Sequence, residues 1–252
     1  MSDIVPPWAE APAFSVRHGH GRGEMTRNVF VTGGGPPVVL LHELPGIHGQ
    51  FFSLVDLLVR NGMSVWVPHF FGRMGQRQTN RQMLTNRCVL KEFAGLSTRK
   101  LGPAAHWTRE MIKEVRARSG YDEVAVIGMC LTGGFALAMM AEEGVVAGAA
   151  CQPSLPILPC AAFGMSKDEI NAARTGMAAK GHAMALRASN DSIVPARRLR
   201  RIKEAFGEHV VVVSLGPTGH ATLTENRNDD AMRAVFGYVM ERLGISGPPD
   251  LN

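Results

Sequence analysis

The stretch Val124-Ala125-Val126-Ile127-Gly128-Met129-Cys130-Leu131-Thr132-Gly133-Gly134-Phe135-Ala136-Leu137 decides the fold. Its first four residues are apolar and mostly β-branched, the pattern of a buried strand. A glycine, a single thiol, two more glycines and a helix-forming run follow, so the strand turns sharply into a helix with Cys130 at the corner. A side chain at such a corner is pushed out at the top of a sheet. The helix behind it directs its first N–H groups and the positive end of its dipole back at the same point. Cysteine suits that place, because the thiolate is the nucleophile and electropositive surroundings favour it. The competing reading is a buried structural cysteine, where most free cysteines sit. A base and an orienting acid downstream decide between the two.

Working outward, the run 37–43, centred on Val38-Val39-Leu40-Leu41, is apolar without alternation, as in a parallel strand covered on both faces. An amphipathic segment at 50–60, closed by Asn61-Gly62, leads to a second buried strand at 63–68, which makes a right-handed βαβ unit. Residues 72–102 interrupt the rhythm: polar, arginine-rich and poorly periodic, they read as an excursion over the sheet edge. Alternation then resumes with a helix at 103–119, a strand at 123–130, a helix at 131–143 and a strand at 145–151. Residues 152–180 form a second excursion, rigid at Gln152-Pro153-Ser154-Leu155-Pro156 and helical at 167–179. A strand at 182–188, a helix at 195–206, a strand at 209–215 and a helix at 228–243 complete the series. Ahead of it, residues 1–35 hold two short strand-like pieces, 13–17 and 28–32, separated by glycine-rich turns. The expected fold class is α/β: one doubly wound, mostly parallel sheet with helices on both faces, in a single domain over 1–252.

In such sheets ligands lie outside the carboxyl ends of the strands. Four reactive residues fall there. Glu43 follows the first long strand, Cys130 the strand of the elbow, Asp191 the strand at 182–188, and His220 the strand at 209–215. Asp191 occupies the turn Ser189-Asn190-Asp191-Ser192-Ile193-Val194-Pro195, where an aspartate also serves as a helix cap. His220 sits in Gly216-Pro217-Thr218-Gly219-His220, a glycine-framed loop where a core-filling histidine would be out of place. Nucleophile, acid and histidine come in the chain order of the α/β-hydrolase fold.

On these four segments the chain resembles the dienelactone hydrolase family, cysteine-nucleophile α/β hydrolases, from about residue 36 to 243. The resemblance implies a Cys130–His220–Asp191 triad that cleaves a small ester or lactone through an acyl thioester on Cys130. It implies an oxyanion hole formed by the backbone N–H groups of Leu131 and Leu44. A glutamate at the Glu43 position would keep the resting thiol protonated and release it when substrate arrives; otherwise Glu43 is a surface carboxylate paired with an arginine. Two features depart from the family pattern. The common elbow has glycine two residues after the nucleophile, where strand and helix pack closely, and here that residue is Thr132, which implies a slight shift of the helix. Lactone-cleaving members carry an arginine shortly after the histidine to bind a substrate carboxylate, whereas Ala221-Thr222-Leu223-Thr224 follow His220. Arg73, Arg77 or Arg81 in the first excursion are the candidates to supply that clamp.

Composition narrows the alternatives. The 252 residues carry a formal net charge of +5. Acidic residues recur along the chain and no aromatic-basic signature accompanies the arginines, so a solvated basic face or attraction of an anionic small substrate explains the charge better than nucleic acid does. No apolar run is long enough to span a membrane, and Met1 to Trp8 do not read as a secretion signal. Cys88, Cys130, Cys151 and Cys160 lack zinc-ligand spacing and fit a reducing cytoplasm. His42, His48 and His69 near the rim lack an H-E-x-x-H pattern and read as pocket walls, so neither metal nor cofactor is expected. Gly19, Gly21 and Gly23 do not open a helix, which removes a dinucleotide site. The rival function is a non-catalytic binding protein on the same fold, with Cys130 as a redox-sensitive thiol. Such a protein has no need of Asp191 and His220 together.

Overall fold

A computed structural model describes residues 4–20, 23–78, 93, 100–154 and 164–252. Its strands are β1 (Phe14–His20), β2 (Gly23–Thr32), β3 (Pro37–Leu41), β4 (Ser64–Pro68), β5 (Val124–Met129), β6 (Val145–Cys151), β7 (Ala183–Ala188) and β8 (Val210–Leu215). The described helices are α1 (Gly49–Arg60), α2 (Pro103–Ser119), α3 (Gly133–Met139), α4 (Lys167–Lys180), α5 (Ala196–Phe206) and α6 (Asp229–Arg242). The strands form one sheet in the order β1-β2-β4-β3-β5-β6-β7-β8. From β4 to β8 the neighbours run parallel, while β1 and β2 extend one edge antiparallel.

The unalternating apolar runs are explained by what covers them. In β3, Val38 and Leu40 join the cluster beneath α1 and α6, built on Phe51, Leu54, Val235 and Phe236. Val39 and Leu41 face the opposite way, into a cluster with Trp107, Met111, Phe135 and Ile202 from α2, α3 and α5. β5 divides its residues in the same manner, Val124 and Val126 to one side and Ala125, Ile127 and Met129 to the other. A strand buried on both faces must be apolar at every position, since each fully buried Val or Leu contributes roughly 1.5–3 kcal/mol and a polar side chain would forfeit it.

The structure corrects the sequence reading in three places. The two short pieces before residue 35 are one long hairpin. His18 pairs with Met25, Gly19 with Glu24 and His20 with Gly23, so Gly19 and Gly23 lie within paired strands. Trp107 Nε1 donates to Val16 O at 3.0 Å, which fastens that hairpin to α2. The helix expected at 131–143 is shorter: a 3-10 turn, Cys130–Thr132, precedes α3, which ends at Met139 before a turn at Gly144 with φ +77°. Pro195 caps α5 instead of standing in its first turn. Within the first excursion, Gly75 N–H donates to Ile47 O and Gln78 N–H to Pro45 O, both at 3.0 Å, so its opening segment buttresses the loop after β3. The rest of that excursion, apart from Phe93 and residues 100–102, lies outside the described residues. So do 155–163 of the second excursion, with Arg81, Cys88 and Cys160.

Candidate active site

Cys130 stands at the strand–helix corner with φ +51°, in the left-handed region that a side chain adopts only when its surroundings force it. The forcing is visible on both sides. A Cβ on Gly128 would lie 2.4 Å from Thr132 O, and one on Gly133 would lie 2.8 Å from Pro153 Cα. The close approach that the family assigns to a glycine two residues after the nucleophile is therefore carried by its neighbours. Thr132 has a different task. Its hydroxyl accepts from Met129 N–H at 2.9 Å and shares its proton between Leu41 O at 3.0 Å and Met129 O at 2.8 Å. It is fully buried and ties the ends of β3 and β5 together.

The four expected residues converge. His220 Nδ1 lies 2.9 Å from Asp191 Oδ2. The other Asp191 oxygen accepts from Ile193 N–H at 2.8 Å and Val194 N–H at 2.9 Å, so Asp191 caps its turn and orients the imidazole at once. Sγ of Cys130, a ring nitrogen of His220 and a carboxylate oxygen of Glu43 all lie within 4.8 Å of one another. That spacing would also admit a metal ion; the Asp191 carboxylate lies on the far ring nitrogen of His220. His220 Nε2 is buried without a hydrogen-bond partner among the described residues, and so remains open toward the thiol. Burial alone would lower the His220 pKa. The Asp191 carboxylate and the sulfur beside it outweigh burial and hold the imidazolium up to about 10. Burial likewise works to raise Asp191, yet His220 and the two N–H donors keep its carboxyl below the ordinary value.

Several residues that spacing could not mark complete the site. Ser154 Oγ lies 3.2 Å from Cys130 Sγ, and Ser154 N–H donates to Cys130 O at 2.8 Å. Glu43 is only 2 % exposed and pairs with no arginine among the described residues, which overturns the surface-carboxylate reading. Thr224 Oγ1 donates to its Oε1 at 2.5 Å and Gln152 Nε2 to its Oε2 at 3.3 Å, while Thr222 Oγ1 donates to Gln152 Oε1 at 2.8 Å. Burial raises the Glu43 pKa, against the pull of Thr224 and His220. Gln152 adopts φ +38°, a conformation that aims its amide at Glu43. Asn190 Oδ1 accepts from Thr218 N–H and Gly219 N–H, each at 2.9 Å, and so binds the acid's turn to the histidine's loop. Arg187, nearly buried, braces that turn by donating to Ser189 O, Asp191 O and Val194 O. All follow strand ends or line the site's loops, and applying the strand-end rule to β6 would have pointed to Gln152 and Ser154.

The remaining candidates are placed as follows. Leu131 N–H belongs to the first turn behind Cys130, where helical N–H groups lack intrahelical partners, and Leu44 lies on the loop after β3. Arg73 is exposed. Arg77 is exposed too, but its guanidinium forks onto Glu225, with Nε–Oε1 at 2.6 Å and Nη2–Oε2 at 3.2 Å. His42 is not a pocket wall: it is wholly buried behind the loop and bonded to backbone. Cys151 is fully buried, and burial pushes its thiol well up, which leaves Cys130 as the thiol at the rim among the described residues. A groove of about 550 Å³ between α5 and β8, lined by Leu199, Arg200, Val210 and Val212 among others, lies apart from this constellation.

An eight-stranded sheet in this order, with a positive-φ cysteine at the elbow after β5 and a histidine after β8, defines an α/β hydrolase. The family model of the dienelactone hydrolase family matches residues 29–242, and the chain belongs to that family. It is therefore a carboxylic ester hydrolase. Solved structures similar to it include an esterase from Pyrococcus furiosus (TM-score 0.65, 12 % identity, 92 % of this chain and 91 % of that one). An esterase from Exiguobacterium antarcticum is also similar (TM-score 0.55, 14 % identity, 86 % and 96 %). So is Est1E from Butyrivibrio proteoclasticus, a structure with bound ferulic acid (TM-score 0.57, 12 % identity, 87 % and 96 %). At these identities the likeness is one of fold. No curated protein matches the sequence.

Proposed function

We propose that the protein is a single-domain cytoplasmic hydrolase of a small ester or lactone that uses Cys130 as nucleophile, His220 as base and acid, and Asp191 as the group that orients His220. The observation that carries this reading is the 2.9 Å contact between His220 Nδ1 and Asp191 Oδ2, with Nε2 left open beside the elbow thiol. Cys130 and His220 share one proton; in the reactive state it sits on Nε2, where the Asp191 carboxylate and the sulfur favour it, and the thiolate Sγ attacks the carbonyl carbon. The resulting oxyanion is received by the N–H groups of Leu131 and Leu44. As the C–O bond breaks, the imidazolium returns its proton to the leaving alcohol. A water then gives a proton to His220 and attacks the thioester, which releases the acid and restores the thiol.

Glu43 would gate the nucleophile, holding the resting thiol protonated until substrate arrives; its raised pKa and its tethers to Thr224 and Gln152 support a carboxyl kept close to the thiol. A substrate carboxylate would be met by Arg73, Arg77 or Arg81, and Arg77 would first have to exchange Glu225 for it. The decisive test is turnover of an activated aryl ester by Cys130→Ala. Activity should fall to background with the fold retained by circular dichroism, and an acyl adduct on Cys130 should be detected by mass spectrometry in the parent alone. Near-parent turnover by the variant would overturn the assignment. In the same assay, Glu43→Gln should speed labelling of the resting thiol by iodoacetamide.

A further inference from the structure

We propose that His42 is a positioning residue for the oxyanion hole: it fixes the plane of the Glu43–Leu44 peptide, and thereby the direction of the Leu44 N–H. The inference rests on the reading above, in which Leu44 N–H receives the oxyanion.

Phe70 N–H donates to His42 Nε2 at 3.1 Å. A backbone N–H can only donate, so Nε2 is the bare nitrogen and the ring proton sits on Nδ1. Nδ1 lies 3.3 Å from Glu43 O, the acceptor that this proton needs. The imidazole is fully buried against Phe71, whose ring centroid is 4.3 Å away, and against Phe70 and Phe51. Burial, with His69 nearby, drives its pKa down to about 3, so it remains a neutral, single-tautomer bridge at any working pH. His42 thus joins two strand ends through backbone atoms alone, Phe70 beyond β4 and Glu43 beyond β3.

Glu43 O also accepts from Gly46 N–H at 2.9 Å. The same peptide unit carries this carbonyl and the N–H of Leu44. A trans peptide is planar, with C=O and N–H pointing in opposite directions, so fixing one fixes the other. Two donors on the carbonyl therefore aim the Leu44 N–H away from His42 and polarise it in the sense that strengthens it as a donor. Pro45 follows and offers no N–H of its own. The loop's hold on a developing negative charge comes to depend on a side chain that touches neither substrate nor triad.

The test separates the hydrogen bonds from the ring's bulk, and the oxyanion from the thiolate. His42→Phe keeps an aromatic ring and loses both bonds, while His42→Gln keeps a donor and an acceptor. Hydrolysis of an activated aryl ester needs an oxyanion hole, whereas alkylation of Cys130 by iodoacetamide needs only the thiolate. For H42F, kcat should fall roughly tenfold, less than the roughly 100- to 1000-fold that follows outright loss of such a donor. KM should stay within about twofold and the alkylation rate should not change, since ground-state binding and the nucleophile are untouched. H42Q should recover most of the loss. Unchanged kcat in H42F, or alkylation that slows in step with turnover, would overturn the proposal, the second result marking a general collapse of the site. H42L carries the same comparison if phenylalanine is not accommodated. Failure of the underlying reading would show separately, in the parent, as a Cys130 that is neither acylated nor required for turnover.

Discussion

Cys130 holds a backbone angle that costs about 1–3 kcal/mol in an L-residue, and the site is the place where that cost has a use. The angle lifts the thiol toward the open Nε2 of His220. The pKa balance around His220 yields a prediction with a definite sign. Its folded-state value, about 10, lies above the ordinary 6.5. The stabilisation it gives is therefore complete below about pH 6.5 and is lost as pH rises toward 10. With an alkyl ester, whose alkoxide must be protonated to leave, kcat should also fall as pH passes through about 10, where the imidazolium is lost. Asp191→Asn removes the carboxylate that supports the imidazolium, so it should shift that fall to lower pH and flatten the loss of stability between neutrality and pH 10. Superimposable pH–rate and pH–melting profiles for parent and variant would exclude this account. Cys130, Asp191, His220 and Glu43 were legible in the sequence because their residue types are rare at strand ends and chemically pointed. Ser154, Gln152, Thr222 and Thr224 were not, because hydroxyls and amides are common in loops and their partners are set by packing, across 24 residues for Ser154 and 70 or more for the other three.

Strand-to-helix joints carry the next level of organisation. The elbow packs its glycines against backbone, which cannot yield: Gly128 faces Thr132 O, and Gly133 faces Pro153 Cα. Gly128→Ala should therefore destabilise the protein by about 1–3 kcal/mol through overpacking and should lower turnover as Cys130 is displaced. A melting temperature and kcat equal to the parent's would show that the joint is looser than this geometry allows. Periodicity located nearly every central element, since β3, β5 and β7 are buried on both faces and read as unbroken apolar runs. It misjudged ends. The helix after Cys130 stops early because Glu142-Glu143-Gly144 turns the chain into β6, and the first hairpin was obscured because paired glycines look like turns when no partner strand is visible.

At the scale of the molecule, the parallel strands deliver their loops to one rim, and the net charge of +5 gives the chain as a whole a positive long-range field. If the field gathers an anionic substrate, kcat/KM for an ester bearing a free carboxylate should fall as salt rises past about 0.1 M, where the screening length is about 10 Å. A neutral ester of the same shape should respond much less; equal responses would remove charge from the explanation. Thr132 lies at the centre of this arrangement, joining the ends of β3 and β5, which are neighbours in the sheet. Reverting it to the glycine usual in such elbows would strip partners from Leu41 O and Met129 N–H and leave an empty volume where a fully buried side chain now sits. The ordinary family residue would thus be a destabilising one in this background.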